Sequence, residues 1–212
     1  MKKSLIFDVD GTLWDAVDVI TDSWNLTAKR CGITTTIDKN DMAGYMGQPM
    51  SAFVGLFPGT PEEKALEVLE KCCKEEIDYL HDHPGKLYPN MKETIFTLSK
   101  DYDLYIVSNC QEGYIEALLD ACNLKPYFRD FENYGRTGKL KAENIRILKT
   151  RCEIDKAIYI GDTLTDMEAA EANGMPFIYA SYGMGDVKNA RFVINTPAEI
   201  FETISKMKYF SL

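Results

Sequence analysis

The stretch Phe7-Asp8-Val9-Asp10-Gly11-Thr12 decides how this chain of 212 residues is interpreted. It completes a short apolar run, residues 5–7, that is typical of a strand buried on both faces. Packing gives no reason for such a strand to end in two acids, so these charges must be paired, solvated or bound to a metal. An Asp-Gly turn that closes the strand would explain the same residues. The rest of the chain decides between a turn and a site.

The composition indicates a soluble globular protein and argues against several kinds of partner. Hydrophobic residues make up 45% and charged residues 27%, and the net charge is −9, which disfavours nucleic-acid binding. No apolar stretch approaches the ~20 residues that span a bilayer, and no signal peptide is visible. The six cysteines form no Cys-x-x-Cys pair, so we expect reduced core residues in a cytoplasmic protein. We therefore predict no nucleic-acid and no membrane partner, and nothing indicates an oligomeric state.

The first third of the chain is predicted to be a helical insertion. After Thr12, apolar residues recur at helical spacing, and a second helix is expected from residue 61 to about 81. Between these helices, residues 34–60 are rich in glycine and proline and are predicted to be irregular. No confident strand is indicated between Asp15 and His83. We therefore assign residues 15–85 to an all-α cap domain.

From Pro84 onward, helices and strands alternate. Strands are predicted at residues 104–107, 128–133, 157–160, 177–180 and 192–194. Helices are predicted at residues 91–100, 113–122, 142–152 and 164–172, and a final helix is expected after a capping box formed by Thr196 and Glu199. This alternation predicts an α/β fold, a Rossmann-like parallel sheet with helices on both faces, that comprises residues 1–14 and 86–212.

Polar residues follow three of the predicted strands, at Asp8, Ser108 and Asp162. Ligands of such sheets bind beyond the carboxyl ends of the strands, so these residues are expected to converge at one edge. The full set there is Asp8, Asp10, Thr12, Ser108, Asn109, Asp162 and Asp166, with Lys139 or Lys141. Several carboxylates cannot crowd together ionised without a cation. Oxygen ligands without histidine or cysteine favour Mg²⁺, which typically also takes a substrate phosphate. The set therefore predicts a phosphorylated ligand.

Four sequence segments together resemble the motifs of the haloacid dehalogenase (HAD) superfamily. They are Asp8-Val9-Asp10-Gly11-Thr12, Ser108-Asn109, Lys141, and Gly161-Asp162-Thr163-Leu164-Thr165-Asp166. They occur in the right order over the whole chain, and the predicted insertion is similar to the small helical cap that follows the first motif in that superfamily. The resemblance implies a HAD-like core with an inserted cap.

The resemblance also implies a role for each motif residue. Asp8 would be the nucleophile that forms an aspartyl phosphate, and Asp10 would be the general acid and base. Mg²⁺ would be held by the Asp8 carboxylate, the Asp10 backbone carbonyl and Asp162, with Asp166 in support. Phosphoryl oxygens would be bound by Ser108, helped by Asn109 and by the backbone amides near Gly11 and Thr12. Lys141 would neutralise charge on both Asp8 and the phosphate.

Simpler readings of the weaker motifs stay open at this stage. Ser108-Asn109 could be a turn that ends a strand. Lys141 could belong to a solvated basic face, and Lys139 could take its place in the site. Asp166 could be an acid that only complements a helix dipole.

Within the superfamily, Asp10 favours phosphoester chemistry, because the dehalogenases lack an acid two residues after the nucleophile. A sugar phosphomutase is the nearest alternative, but the histidine that such enzymes carry early in the first cap helix is absent from residues 17–20. A catalytically silent member that binds a partner is the alternative of another class. We predict a magnesium-dependent phosphatase of a small phosphorylated metabolite, similar to phosphoglycolate phosphatases. Its substrate is expected to be selected by the cap, with residues 42–50, including Tyr45 and Gln48, as candidates.

Overall fold

The structure is a computed structural model that describes residues 3–211. It is built from strands and helices that alternate through most of the chain. In chain order they are β1 (Lys3–Phe7), β2 (Trp14–Asp15), α1 (Val17–Arg30), α2 (Lys39–Tyr45), α3 (Glu62–Asp82), β3 (Lys86–Leu87), α4 (Met91–Leu98), β4 (Tyr102–Ser108), α5 (Tyr114–Ala121), β5 (Phe128–Asn133), α6 (Tyr134–Thr137), α7 (Lys141–Arg151), β6 (Ala157–Gly161), α8 (Leu164–Glu171), β7 (Phe177–Ala180), β8 (Val193–Ile194) and α9 (Ile200–Met207). Short 3₁₀ helices lie at Met50–Leu56, Lys125–Tyr127, Pro197–Glu199 and Tyr209–Ser211.

A parallel sheet of six strands forms the centre of the described part of the chain. Its strand order is β5-β4-β1-β6-β7-β8. Residues of β1 alternate between two hydrophobic clusters, with Leu5 and Phe7 on one face of the sheet and Ile6 on the other. Residues of α4, α5 and α9 belong to the first cluster, and residues of α7 and α8 to the second. The predicted α/β fold with a doubly covered sheet is confirmed.

The carboxyl ends of three neighbouring central strands meet at one edge of the sheet. Phe7, the last residue of β1, is in register with Ile106 of β4 and Ile160 of β6. Asp8 and Asp162 directly follow β1 and β6, and Ser108 ends β4. The predicted convergence of these three chain segments is therefore confirmed, because parallel neighbours bring equivalent ends together.

The segment predicted as a cap is helical, with more regular structure than expected. Helices α1 and α3 pack on each other, and Trp24 of α1 lies against the rings of Phe53 and Phe57 at centroid distances of 5.5 and 6.2 Å. The stretch predicted to be irregular contains α2 and the 3₁₀ helix Met50–Leu56. Sequence periodicity missed both because each has only 7 residues, about two helical turns.

Two further expectations differ from the structure. Trp14–Asp15 and Lys86–Leu87 pair as an antiparallel ribbon, although neither segment is among the strands predicted from the sequence. A pair of two-residue strands leaves too few residues for an alternating pattern. The prediction of a capping box before the last helix is wrong. The Glu199 carboxylate accepts from the backbone N–H of Asn195 at 3.0 Å, and the first turn is a 3₁₀ helix.

Within residues 3–211, no helix is both long enough and apolar enough to cross a membrane.

Candidate active site

A buried ion-pair cluster lies at the sheet edge. Lys141, the first residue of α7, places its Nζ 2.9 Å from Asp8 Oδ1 and 2.5 Å from Asp166 Oδ1. The Lys141 side chain is only 1% exposed, whereas Lys139 lies on the surface. The structure therefore brings Lys141, and not Lys139, to the predicted nucleophile. Burial opposes the charged form of Lys141, but Asp166 and Asp8 outweigh it and raise the pKa of this ammonium group.

Asp166 combines a structural contact with a contact in the site. Its Oδ2 accepts from the backbone N–H and the hydroxyl of Thr163, at 2.9 and 2.6 Å, which caps α8, while Oδ1 contacts Lys141. Asp166 can therefore act at the end of α8 and also support the site, because each of its carboxylate oxygens has a different partner.

Asp162 is held by a loop that sequence reasoning did not single out. Its Oδ2 accepts from the backbone N–H groups of Met184 and Gly185, at 2.8 and 3.2 Å. Its Oδ1 accepts from the Thr12 hydroxyl at 3.4 Å. These donors are backbone groups of an irregular loop after β7, and no side-chain pattern announces them.

Gly11 and Thr12 lie beside Asp162, in a supporting position. A Cβ on Gly11, whose φ is +77°, would lie 2.0 Å from Asp162 Oδ2, so no larger residue fits there. The N–H of Gly11 donates to the carbonyl of Trp14, and that of Thr12 donates to Val9. Both amides thus donate within the turn in this structure, and their implied role as phosphate donors stays a prediction.

The carboxylates of Asp8, Asp162 and Asp166 fit a divalent cation. Among the described residues, these three buried groups can each offer an oxygen within 4.8 Å of the others. Lys141 supplies one positive charge against three carboxylates, so the cluster lacks cationic charge. Burial, together with the charge of Asp166, raises the pKa of Asp8 to about 7 and that of Asp162 to about 6. A hard cation would satisfy the oxygen ligands and relieve this repulsion.

The Asp10 carboxylate has hydrogen-bond partners outside the carboxylate cluster. Its Oδ1 accepts from the Tyr114 hydroxyl at 2.6 Å and from Trp14 Nε1 at 3.1 Å. Burial raises the pKa of Asp10 to about 7, while the hydrogen bond from Tyr114 opposes that rise. The Asp10 side chain is thus separate from the three carboxylates that fit a cation. This agrees with the implied contact to Mg²⁺, which is made by the backbone carbonyl of Asp10 and not by its side chain. Its titration near neutral pH suits an acid–base group.

Ser108 and Asn109 lie between the core and the helical segment. Both are buried and line one cavity together with Asp10. Asn109 Nδ2 donates to the carbonyl of Gly47 at 3.0 Å, which links the end of β4 to the loop after α2. Gln48 also lines this cavity, whereas Tyr45 packs against Phe53, with ring centroids 5.6 Å apart.

The family of haloacid dehalogenase-like hydrolases matches this chain over residues 5–180. The chain belongs to this family. It is 28% identical over 210 residues to a phosphoglycolate phosphatase of Aquifex aeolicus, covering 92% of this chain and 93% of that protein. A phosphoglycolate phosphatase of Mesorhizobium japonicum is 26% identical over 192 residues, covering 86% of this chain and 84% of that protein. A predicted phosphatase from Clostridium acetobutylicum has the same fold, with a TM-score of 0.80, 23% identity and coverage of 97% of this chain and 99% of that one.

These similarities confirm the predicted membership in the HAD superfamily and the prediction of a hydrolase similar to its phosphatases. The site of this HAD-type hydrolase also contains residues that the sequence did not indicate. Tyr114 and Trp14 hold Asp10, and Glu76 and Gln111 line the cavity beside it. Tyr114 and Glu76 are buried helix residues, so the apolar stripes around them conceal their polar contacts from a reading of the sequence.

Proposed function

We propose that this chain is a magnesium-dependent phosphatase that hydrolyses a small phosphorylated metabolite through an aspartyl-phosphate intermediate. The observation that carries the proposal is the buried contact of Lys141 with Asp8 and Asp166, next to Asp162. A nucleophilic carboxylate needs a neighbouring cation when it approaches a phosphate dianion, and this geometry supplies one.

In the proposed first step, the Asp8 carboxylate attacks phosphorus and the ester oxygen leaves. Lys141 neutralises charge on the nucleophile and on the transferred phosphoryl group. The Ser108 hydroxyl donates a hydrogen bond to a phosphoryl oxygen. Asp10, in its protonated form, transfers a proton to the departing oxygen.

In the proposed second step, water attacks the phosphorus of the aspartyl phosphate. Asp10, now ionised, accepts the proton of this water, and Asp8 is released as a carboxylate. The near-neutral pKa of Asp10 supports this double role, since a group that titrates near the working pH can serve as acid and then as base.

Magnesium would be held by Asp8 and Asp162 and by the backbone carbonyl of Asp10, with Asp166 in support. When bound, it supplies positive charge at the phosphoryl oxygens. The support in this structure is the set of three buried carboxylates with a single lysine. We further propose a cytoplasmic location, for which the free thiols of all six cysteines are the support.

The decisive experiment replaces the nucleophile. We expect Asp8→Asn to lower hydrolysis of p-nitrophenyl phosphate by about 10³-fold or more, because the amide cannot form the acyl phosphate. Thermal unfolding and circular dichroism verify that the variant is folded. Activity of the Asp8→Asn protein equal to that of the original chain contradicts the proposed mechanism.

Metal removal and product analysis separate the remaining alternatives. EDTA is expected to abolish phosphate release and MgCl₂ to restore it; activity that persists in EDTA contradicts the metal assignment. A phosphomutase would keep its product phosphorylated, whereas a phosphatase releases free phosphate. A silent binding protein would release none from any ester.

A further inference from the structure

The wall of the cavity beside the proposed nucleophile includes acidic side chains, and none of its described residues is basic. Two acidic residues, Asp10 and Glu76, contribute to its wall, and no lysine or arginine is among the described residues that line it. The remaining wall is neutral, formed by aromatic, methionine, glutamine and other uncharged residues. This cavity lies where the part of the substrate beyond the phosphate would be accommodated, because it includes both Asp10 and Ser108.

Glu76 is a buried carboxylate with neutral partners only. It lies on the buried face of α3, is 2% exposed, and accepts from Gln111 Nε2 at 2.8 Å and from Trp24 Nε1. Each donor contacts a different carboxylate oxygen, so both oxygens act as acceptors. Within residues 3–211, no cationic side chain forms an ion pair with it.

A buried acid without a cation is costly, and its position in a cavity wall indicates what could offset that cost. Burial raises the pKa of Glu76 to about 8, even though both hydrogen bonds favour the ionised form. A carboxylate has about four acceptor sites, so the two existing hydrogen bonds leave room for further donors. A bound cation would restore the ionised form and pair with it.

Asn109, another residue of the cavity wall, carries a second acceptor. Asn109, 2% exposed, uses its Nδ2 to donate to the carbonyl of Gly47, and this contact determines which way the amide points. Its Oδ1 is buried and has no hydrogen-bond partner. Buried polar atoms are rarely left unpaired, so this oxygen marks a place for a donor from a ligand.

The cavity is also small. Its volume of about 30 Å³ is room for about two water-sized groups. A short leaving group therefore fits this space better than a sugar does. The wall thus favours a ligand that is short and that offers hydrogen-bond donors.

We propose that the leaving group carries an ammonium group, so that the substrate is a short aminoalkyl phosphate whose nitrogen is bound by Glu76. This inference rests on the proposed phosphatase function and narrows it to one substrate class. Phosphoglycolate has a carboxylate where the aminoalkyl ester has its ammonium group, and that carboxylate cannot form an ion pair with Glu76 or Asp10. Similarity to phosphoglycolate phosphatases therefore need not extend to their substrate.

Three esters of nearly equal size test the proposal. 2-Aminoethyl phosphate, 2-hydroxyethyl phosphate and 2-phosphoglycolate differ mainly in the charge of one terminal group. We expect kcat/KM to fall in that order, with at least about a tenfold difference between the first and the last, as for one lost charged contact in a buried site. A higher kcat/KM for phosphoglycolate than for 2-aminoethyl phosphate overturns the proposal.

The variant Glu76→Gln removes the charge and keeps the size of the side chain. We expect it to lower kcat/KM for 2-aminoethyl phosphate about tenfold or more, to change the hydroxyethyl ester little, and to raise kcat/KM for phosphoglycolate. The matched control is Glu70→Gln, an exposed acid on the same helix, which should leave the order of the three esters unchanged. An equal change on all three esters in Glu76→Gln indicates a purely structural role and overturns the proposal.

Failure of the phosphatase function would give a different result. If no ester, including p-nitrophenyl phosphate, is hydrolysed, the proposed function fails. Selectivity is then measured by calorimetric titration of the original chain with 2-aminoethyl phosphate and 2-phosphoglycolate. Tighter binding of the amine, lost in Glu76→Gln, supports the inference; equal or tighter binding of the carboxylate overturns it.

Discussion

Two sets of buried acids around the proposed site are balanced in different ways. At the sheet edge, Asp8 and Asp166 contact Lys141 directly, and Asp162 lies within reach of both. In the cavity wall, the donors that contact Glu76 among residues 3–211 are the neutral side chains of Trp24 and Gln111. In both places the protein supplies less positive charge than negative charge. In each place we expect a ligand to supply the missing charge, a metal ion at the sheet edge and an ammonium group in the cavity.

The largest effect is expected from Asp10, which lies between the two sets. If Asp10 protonates the leaving oxygen, Asp10→Asn should lower kcat for alkyl phosphates by about 10²–10⁴-fold. The loss should be much smaller for p-nitrophenyl phosphate, because p-nitrophenolate leaves without needing a proton. Initial rates on both esters, under saturating MgCl₂, measure the difference.

Asp8→Asn is the matched control for this experiment, since loss of the nucleophile should affect both esters alike. An Asp10→Asn protein that loses the same factor on both esters would show that Asp10 acts on the nucleophile or the metal site. The assignment of Asp10 to the leaving group would then be wrong.

The sheet-edge acids could be predicted from the sequence, whereas the acid of the cavity wall could not. Asp8, Ser108 and Asp162 each follow an apolar run, and the rule that parallel strands present their carboxyl ends together places them at one edge. Glu76 lies in a helix rich in charged residues, where a glutamate is ordinarily expected on the surface. Only the packing of α3 against α1 and α5 buries it.

The same distinction applies to the donors that hold the site acids. Lys141 carries a sequence signal because it opens a helix at the expected place in the chain. The backbone amides of Met184 and Gly185 carry none, since any residue could supply them. The tyrosine that holds Asp10 is 104 positions away, and only tertiary contacts bring the two together. Sequence patterns therefore predicted the groups proposed for the chemistry, but missed several groups that position them.

A smaller effect is expected from Tyr114. Its hydroxyl donates to Asp10 Oδ1 at 2.6 Å, so Tyr114→Phe removes one of the two contacts that orient this carboxyl group. We expect kcat for alkyl phosphates to fall about tenfold with little change in KM, because loss of a hydrogen bond to an ionisable group costs about 1.5–3 kcal/mol. Steady-state kinetics on 2-aminoethyl phosphate and p-nitrophenyl phosphate measure it.

Tyr105→Phe is the control for this variant, since Tyr105 is a buried tyrosine of β4 that belongs to the other hydrophobic cluster. It should leave both kcat values unchanged. If Tyr114→Phe raises KM and leaves kcat intact, Tyr114 contributes to substrate binding, and its proposed role in positioning Asp10 is wrong.

The smallest effect is expected on thermal stability, where the contribution of Glu76 can be measured separately from that of the sheet-edge acids. Burial raises the pKa of Glu76 from an ordinary value of 4.5 to about 8. Between these values the folded chain holds a proton that the unfolded chain has lost, so the free energy of unfolding falls as the pH rises. Glu76→Gln removes the titrating group and with it this pH dependence of the free energy of unfolding. Its Tm in EDTA should therefore exceed that of the original chain by about 2 °C or more at pH 8, and by less at pH 5.

Magnesium should act on the acids at the sheet edge, and the increase in Tm that it causes should also be larger at higher pH. Asp8 and Asp162 have pKa values raised to about 7 and about 6, so they also destabilise the metal-free protein as the pH rises. We expect Mg²⁺ to bind the ionised carboxylates, and to increase Tm more at pH 8 than at pH 5. Because the two sets are separate, the Mg²⁺ effect should persist undiminished in Glu76→Gln. A magnesium effect that disappears in this variant would show that the two sets form one coupled site, and the comparison between them would fail.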